Sequence, residues 1–211
     1  MLPLTTCLSF AALAFVMALS PGPNLLYLAS RSVCQGARAG FASLAGVCAA
    51  MSCYVLATAG GLSALFTVVP AAYDIVRYAG ATYLIWLAIQ ALRTPWLSTG
   101  TTVPPPETYP ALFRRGFTTC LLNPKIVLMY GSLLPQFVHP EAGSPLVQTV
   151  ILGLIQVAVA GLAHAGVILG ASRISRLLRG SPRFIRGQRV VLATLLAAVA
   201  LRVVFDKRHV A

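Results

Sequence analysis

Two proline motifs stand inside otherwise apolar stretches of this chain: Ser20-Pro21-Gly22-Pro23-Asn24 and Asn123-Pro124-Lys125. A proline lacks the N–H that a helix interior needs, and its ring displaces the carbonyl four residues earlier. In hydrocarbon, each backbone group freed in this way costs several kcal/mol unless something meets it. Water, an ion or a polar ligand can do so. A small zwitterion suits such a break, because half-helix N-termini attract its anionic end and freed carbonyls its cationic end. Gly22 would let a ligand approach the backbone closely.

The polar residues near these motifs carry two readings each. Asn24 and Asn123 can hydrogen-bond a ligand, or each can cap the helix that resumes after the break. Lys125 lies well inside an apolar run, where a charge is costly. Its head can snorkel toward the cytoplasm or meet a ligand carboxylate. His164 is a neutral imidazole bonded to a neighbouring helix, or a proton carrier, since imidazole titrates near neutral pH. The four carboxylates, Asp74, Glu107, Glu141 and Asp206, all fall in predicted loops or near chain ends. None is placed to pair with a cationic side chain in the membrane, so a neutral ligand is expected.

The elements that must position these residues are membrane helices. Of 211 residues, 58% are hydrophobic and only 9% charged, against about 25% charged in a soluble domain. Too little charge remains to cover a water-facing globule. The net charge of +12 would suit nucleic acid, but most basic residues cluster in short segments between apolar runs. That pattern reflects cytoplasmic retention and anionic headgroups, so no nucleic-acid partner is expected. The five cysteines form no C-x-x-C pair and no zinc-spaced cluster with histidine. They read as small hydrophobes, with no metal or cofactor implied. No Ser-His-Asp set or H-E-x-x-H motif is present to suggest a membrane enzyme.

Six spans are expected. The first runs from about Leu4 to Ser30 and is read as a retained helix rather than a cleaved signal, because no basic residue precedes it. A short basic loop, Arg31 to Arg38, follows. The second span lies within Ala39–Tyr73, the third near Ile75–Leu92. A proline-rich linker, 94–111, separates two halves, 1–93 and 112–205, and a short tail covers 206–211. The fourth span covers Leu112 to Val138 and the fifth Leu146 to Ala171. The sixth, Val190 to Phe205, is the weakest, with Arg189 and Arg202 bracketing only 12 uncharged residues. With the N-terminus outside, eleven basic loop residues fall on the cytoplasmic side and four opposite, which predicts N-out and C-out.

The two halves share a design. Pro23-Asn24-Leu25-Leu26-Tyr27 loosely matches Pro124-Lys125-Ile126-Val127-Leu128-Met129-Tyr130. Three spans per half is an odd number, so a duplicated half would be inverted in the membrane, an arrangement many secondary transporters use. Gly36-x3-Gly40 and Gly166-x3-Gly170, with Gly46, Gly60 and Gly61, allow close helix approach within the chain or across a homo-oligomer.

The set of motifs resembles the lysine/threonine exporter (LysE/RhtB) family of amino acid efflux proteins. The first half contributes Ser20-Pro21-Gly22-Pro23-Asn24, Gly61-Leu62-Ser63 and Arg77-Tyr78-Ala79-Gly80-Ala81-Thr82-Tyr83-Leu84. The second adds Phe113-Arg114-Arg115-Gly116-Phe117, Leu122-Asn123-Pro124-Lys125 and Leu134-Pro135-Gln136-Phe137-Val138. The resemblance implies an all-α protein of about six helices in two three-helix repeats, in a bacterial-type inner membrane. It implies proton-driven export of amino acids or similar metabolites. The expected substrate-binding and gating residues are Ser20, Pro21, Gly22, Pro23, Asn24, Asn123, Pro124 and Lys125, with His164 for protons. The rival expectation is a membrane-embedded structural or assembly subunit, which would need no matched proline breaks.

Overall fold

A computed structural model describes residues 2–61 and 106–178, together with helical positions scattered through 75–89 and 194–201. The stretch 62–74, most of the third and sixth predicted spans, the linker residues 90–105 and the tail 206–211 lie outside the described residues.

The described chain is helical. Helix α1, Leu4–Leu19, is apolar nearly throughout. It stops where Pro21 demands it. Ser20, the residue before the proline, turns to extended backbone (φ −64°, ψ 134°). Helix α2, Pro23–Gln35, restarts with proline at its first position, where the missing N–H is harmless. The two meet at a bend of 57°. Helix α3, Ala37–Ala59, then begins after a single residue, Gly36, whose φ of +86° favours glycine. The predicted basic loop Arg31 to Arg38 is therefore not a loop. One glycine with positive φ joins the two helices, Arg31 lies within α2, and Arg38 falls in the first turn of α3.

The second broken helix has the same logic. Helix α4, Tyr109–Leu121, begins inside the predicted linker. Asn123 is extended ahead of Pro124, and helix α5, Pro124–Leu128, resumes. It continues as a π-helical turn, Met129–Leu133, and a 3-10 turn, Leu134–Phe137. Pro135 explains the change of pitch, since it has no N–H for the Gly131 carbonyl. The bend between α4 and the segment Pro124–Phe137 is 53°. A short 3-10 turn, Pro140–Ala142, leads to helix α6, Pro145–Leu178.

Among the described residues, α3 and the Pro145–Arg173 part of α6 are each long and apolar enough to cross a membrane. Each bent pair also qualifies as one broken span, giving up to four. Helix α3 lies at the centre, packed on α4 and α6, while α1 and α2 also lean on α6. The α3–α4 crossing is unusually close. A Cβ on Gly46 would strike the Phe113 carbonyl, and one on Gly116 would strike the Ser43 carbonyl. Gly40 likewise sits against Ser32 and Ile168, whereas Gly166 and Gly170 meet nothing among the described residues. The Gly166-x3-Gly170 pair thus makes no close approach here, because α6 turns it away from α1–α5. Phe10, Leu28, Val47, Met51, Met129, Tyr130 and Leu152 fill the interior. Leu4, Leu8 and Val16 of α1, Leu56 of α3 and Leu162 of α6 point outward, as lipid-facing positions should.

Candidate functional site

The two breaks face each other, and each exposes backbone carbonyls that other elements take up. At the first break, Met17 has lost its partner because residue 21 is proline. The Lys125 ammonium donates to the Met17 carbonyl at 2.7 Å, to the Ser20 carbonyl at 3.0 Å and to Ser20 Oγ at 3.3 Å. The His164 ring bonds to the backbone of Ala18. Two basic side chains from the second half therefore cap the C-terminal end of α1, where the helix dipole is negative. Lys125 neither snorkels out of the protein nor meets an acid. It spans the two broken helices.

At the second break the cap is local. Asn123 Oδ1 accepts from the Lys125 backbone N–H at 3.1 Å, so Asn123 is the helix cap that its residue type suggested. The Tyr54 hydroxyl, from α3, donates to the Leu121 carbonyl, and its ring stacks on Tyr130 with centroids 5.6 Å apart. Asn24 is not a cap. It is the second residue of α2, whose N-cap is Gly22, and no side chain caps that helix.

Asn24 instead lines a small cavity with Met17, Ala18, Met51, Lys125, Ile126, Met129, Gln156, Ala160 and His164. Asn24, Gln156 and His164 are only 2 to 4% exposed. Both amide atoms of Asn24, Oε1 of Gln156 and Nδ1 of His164 have no hydrogen-bond partner among the described residues. The Asn24 amide approaches the Cys120 sulfur, but sulfur is a weak acceptor that falls short of satisfying an amide. Buried polar groups are rarely left unmet, so several converging on one space make it a candidate site for a polar occupant. The space is narrow, with room for about one water molecule. Anything larger enters only if the surrounding helices or side chains move.

The structure thus brings together Ser20, Asn24, Lys125 and His164, with Gly22 beside the Lys125 head. Pro21, Pro23, Asn123 and Pro124 shape the breaks. Two contributors are not evident from sequence motifs. Gln156 is one; it precedes His164 by eight residues, so with Ala160 it forms a single stripe along α6. That spacing was the available signal. Tyr54 is the other, and nothing in its apolar surroundings distinguishes it. The methionines at 17, 51 and 129 all line this cavity; the chain has four in total.

Comparison with known proteins identifies the family. A family model described as LysE type translocator matches residues 15–207. The homoserine/homoserine lactone efflux protein of Salmonella typhimurium is 32% identical over 165 residues, covering 78% of this chain and 80% of that protein. The leucine efflux protein of Klebsiella pneumoniae is 28% identical over 173 residues, covering 82% of each. An uncharacterized membrane protein of Vibrio cholerae is 28% identical over 82% of this chain and 83% of its own length. No solved structure gives a significant match. With its paired proline breaks and a match across most of its length, the chain belongs to the LysE family of translocators.

Proposed function

We propose that the protein is a secondary exporter of neutral amino acids or closely related metabolites, and that substrate binds in the cavity between the two broken helices. The observation that carries this reading is the convergence of unpartnered groups of Asn24, Gln156 and His164 on one space beside Lys125. Those groups suit the ammonium and carboxylate common to amino acids. The methionine wall suits a variable apolar side chain, because thioethers repack easily. The names of two relatives, one for leucine and one for homoserine and its lactone, support the same chemistry.

The wider architecture proposed is six spans in two inverted three-helix repeats, halves 1–93 and 112–205. Bends of 57° and 53° at corresponding breaks support the repeat. The basic residues support N-out and C-out in a bacterial inner membrane, with self-association left to the exposed helix faces. Export is driven by the proton gradient, with His164 as a proton carrier.

Efflux decides the matter. Cells expressing the protein are loaded with neutral amino acids as dipeptides, and release is followed with and without a protonophore. Release faster than from empty-vector cells, and slowed by the protonophore, is expected. Release no faster than the control across the neutral amino acids sinks the exporter reading. A reporter fused after Ala211 should read periplasmic; a cytoplasmic signal overturns the orientation.

A further inference from the structure

We infer that the oxygens now holding the Lys125 ammonium are the subsite for the substrate's own ammonium, and that Lys125 occupies it as a tethered stand-in until substrate displaces it. This rests on the exporter reading and deepens it.

The subsite exists independently of the residue that fills it. The Met17 carbonyl is free because Pro21 has no N–H, and the Ser20 carbonyl is free because the helix ends there. Both belong to the negative end of α1. With Ser20 Oγ they offer three acceptors, matching the three N–H bonds of a primary ammonium. Any primary ammonium of the right reach satisfies them equally.

Lys125 is suited to leave. Its charge comes on a flexible four-carbon stem from the five-residue helix α5, which runs directly into a π-helical turn. No carboxylate holds it among the described residues. Glu107 pairs with Arg31 and Arg115, and Glu141 with His139. Gly22 leaves the passage open: a Cβ there would stand 3.2 Å from Nζ and 3.4 Å from Cε.

Displacement also explains how so narrow a cavity accepts an amino acid. Withdrawing the lysine head frees volume at the place where the ammonium must go. The released Lys125 then becomes a partner for the substrate carboxylate, beside the unpartnered amide of Asn24 at the start of α2. A zwitterion exchanges both ends and leaves the net charge of the site unchanged. A cationic amino acid would add an unmatched charge, and a molecule without an amine could not release the lysine.

The test uses isoamylamine, which is leucine without its carboxylate. Purified protein in lipid nanodiscs is titrated with the amine and compared with Lys125→Met, which removes the competitor and keeps most of the side-chain volume. The amine should bind the variant about tenfold or more tightly than the unaltered protein. Equal or weaker binding to the variant overturns the proposal, because a lysine that only braces the helices or holds carboxylates gives no gain. Should Lys125→Met fail to fold, the unaltered protein answers the question by nuclear magnetic resonance of isotope-labelled lysine. The chain has only two lysines, Lys125 and Lys207, and Lys207→Arg assigns the signals. Isoamylamine should shift the Lys125 side-chain signal; an unmoved signal up to the solubility limit overturns the proposal. Efflux of L-leucine without amine gain sinks this subsite alone, and amine gain without efflux sinks the exporter reading alone.

Discussion

Gln156 Oε1, buried on α6 with nothing to bond, defines a prediction at the scale of the residue. A buried acceptor left unmet costs about 1–3 kcal/mol. Gln156→Leu removes that cost, so thermal stability should hold or rise slightly. Efflux should fall about tenfold or more, as when a polar contact to ligand is lost. Thermal unfolding and efflux measured on one preparation check this; a variant that loses both would make Gln156 a structural residue. The two candidate amides divide in the same way. Asn123→Ala loses a helix cap worth about 1 kcal/mol and should lower stability. Asn24→Ala loses only the weak contact with the Cys120 sulfur and should leave stability nearly unchanged, with efflux impaired. These distinctions were only half legible in the sequence. Residue type and position flagged both asparagines and both basic residues. The direction of Lys125 was not readable, because it depends on which helix comes alongside, and that is settled by packing across more than 100 residues.

At the scale of elements, prolines were the most legible feature, because their effect on the backbone is local. Both breaks fall where the motifs placed them. The turn between α2 and α3 was not legible. Arg31 and Arg38 on either side of a glycine read as a loop, yet Gly36 joins two helices in a single residue. Glycine pairs were readable only as a possibility of contact. Gly46 is pressed against the backbone of α4 and Gly166 against nothing among the described residues. Gly46→Ala should therefore cost about 1–3 kcal/mol or more through overpacking. Gly166→Ala should be neutral or stabilising by up to about 1 kcal/mol, through helix propensity. Thermal unfolding of the two variants side by side measures the difference, and equal melting temperatures would contradict the crossing described.

For the whole molecule, one ion cluster ties the halves together. Glu107, at the entry to α4, accepts from Arg31 of α2 at 2.7 Å and from Arg115 of α4 at 3.2 Å. The Arg31 guanidinium also lies 5.9 Å from the Tyr27 ring centroid, and the Tyr27 hydroxyl donates to the Leu112 carbonyl. Sequence alone assigned Glu107 to a loop and gave it no partner, since the pairing joins residues 76 positions apart. Glu107→Gln leaves a part-buried arginine without its counter-charge, and a loss of about 1–3 kcal/mol is expected. Unfolding should then become less sensitive to salt than in the parent, because an ion pair has been removed; unchanged salt sensitivity would argue against the pairing.

The single-residue connection at Gly36 has a mechanical consequence. With no slack between them, α2 and α3 cannot slide or swing apart, and α3 is in turn seated on α4 by the Gly46 and Gly116 contacts. A pull on α2 is therefore transmitted to α3 and α4 together. The backbone between α1 and α2 has a different character. Ser20 and Gly22 are extended, and the ties across to α1 are side-chain bonds from Lys125 and His164 rather than a continuous ladder. Any rocking of the first broken helix is thereby concentrated at residues 20–22, with α1 as the lever and α2 and α3 as its mount.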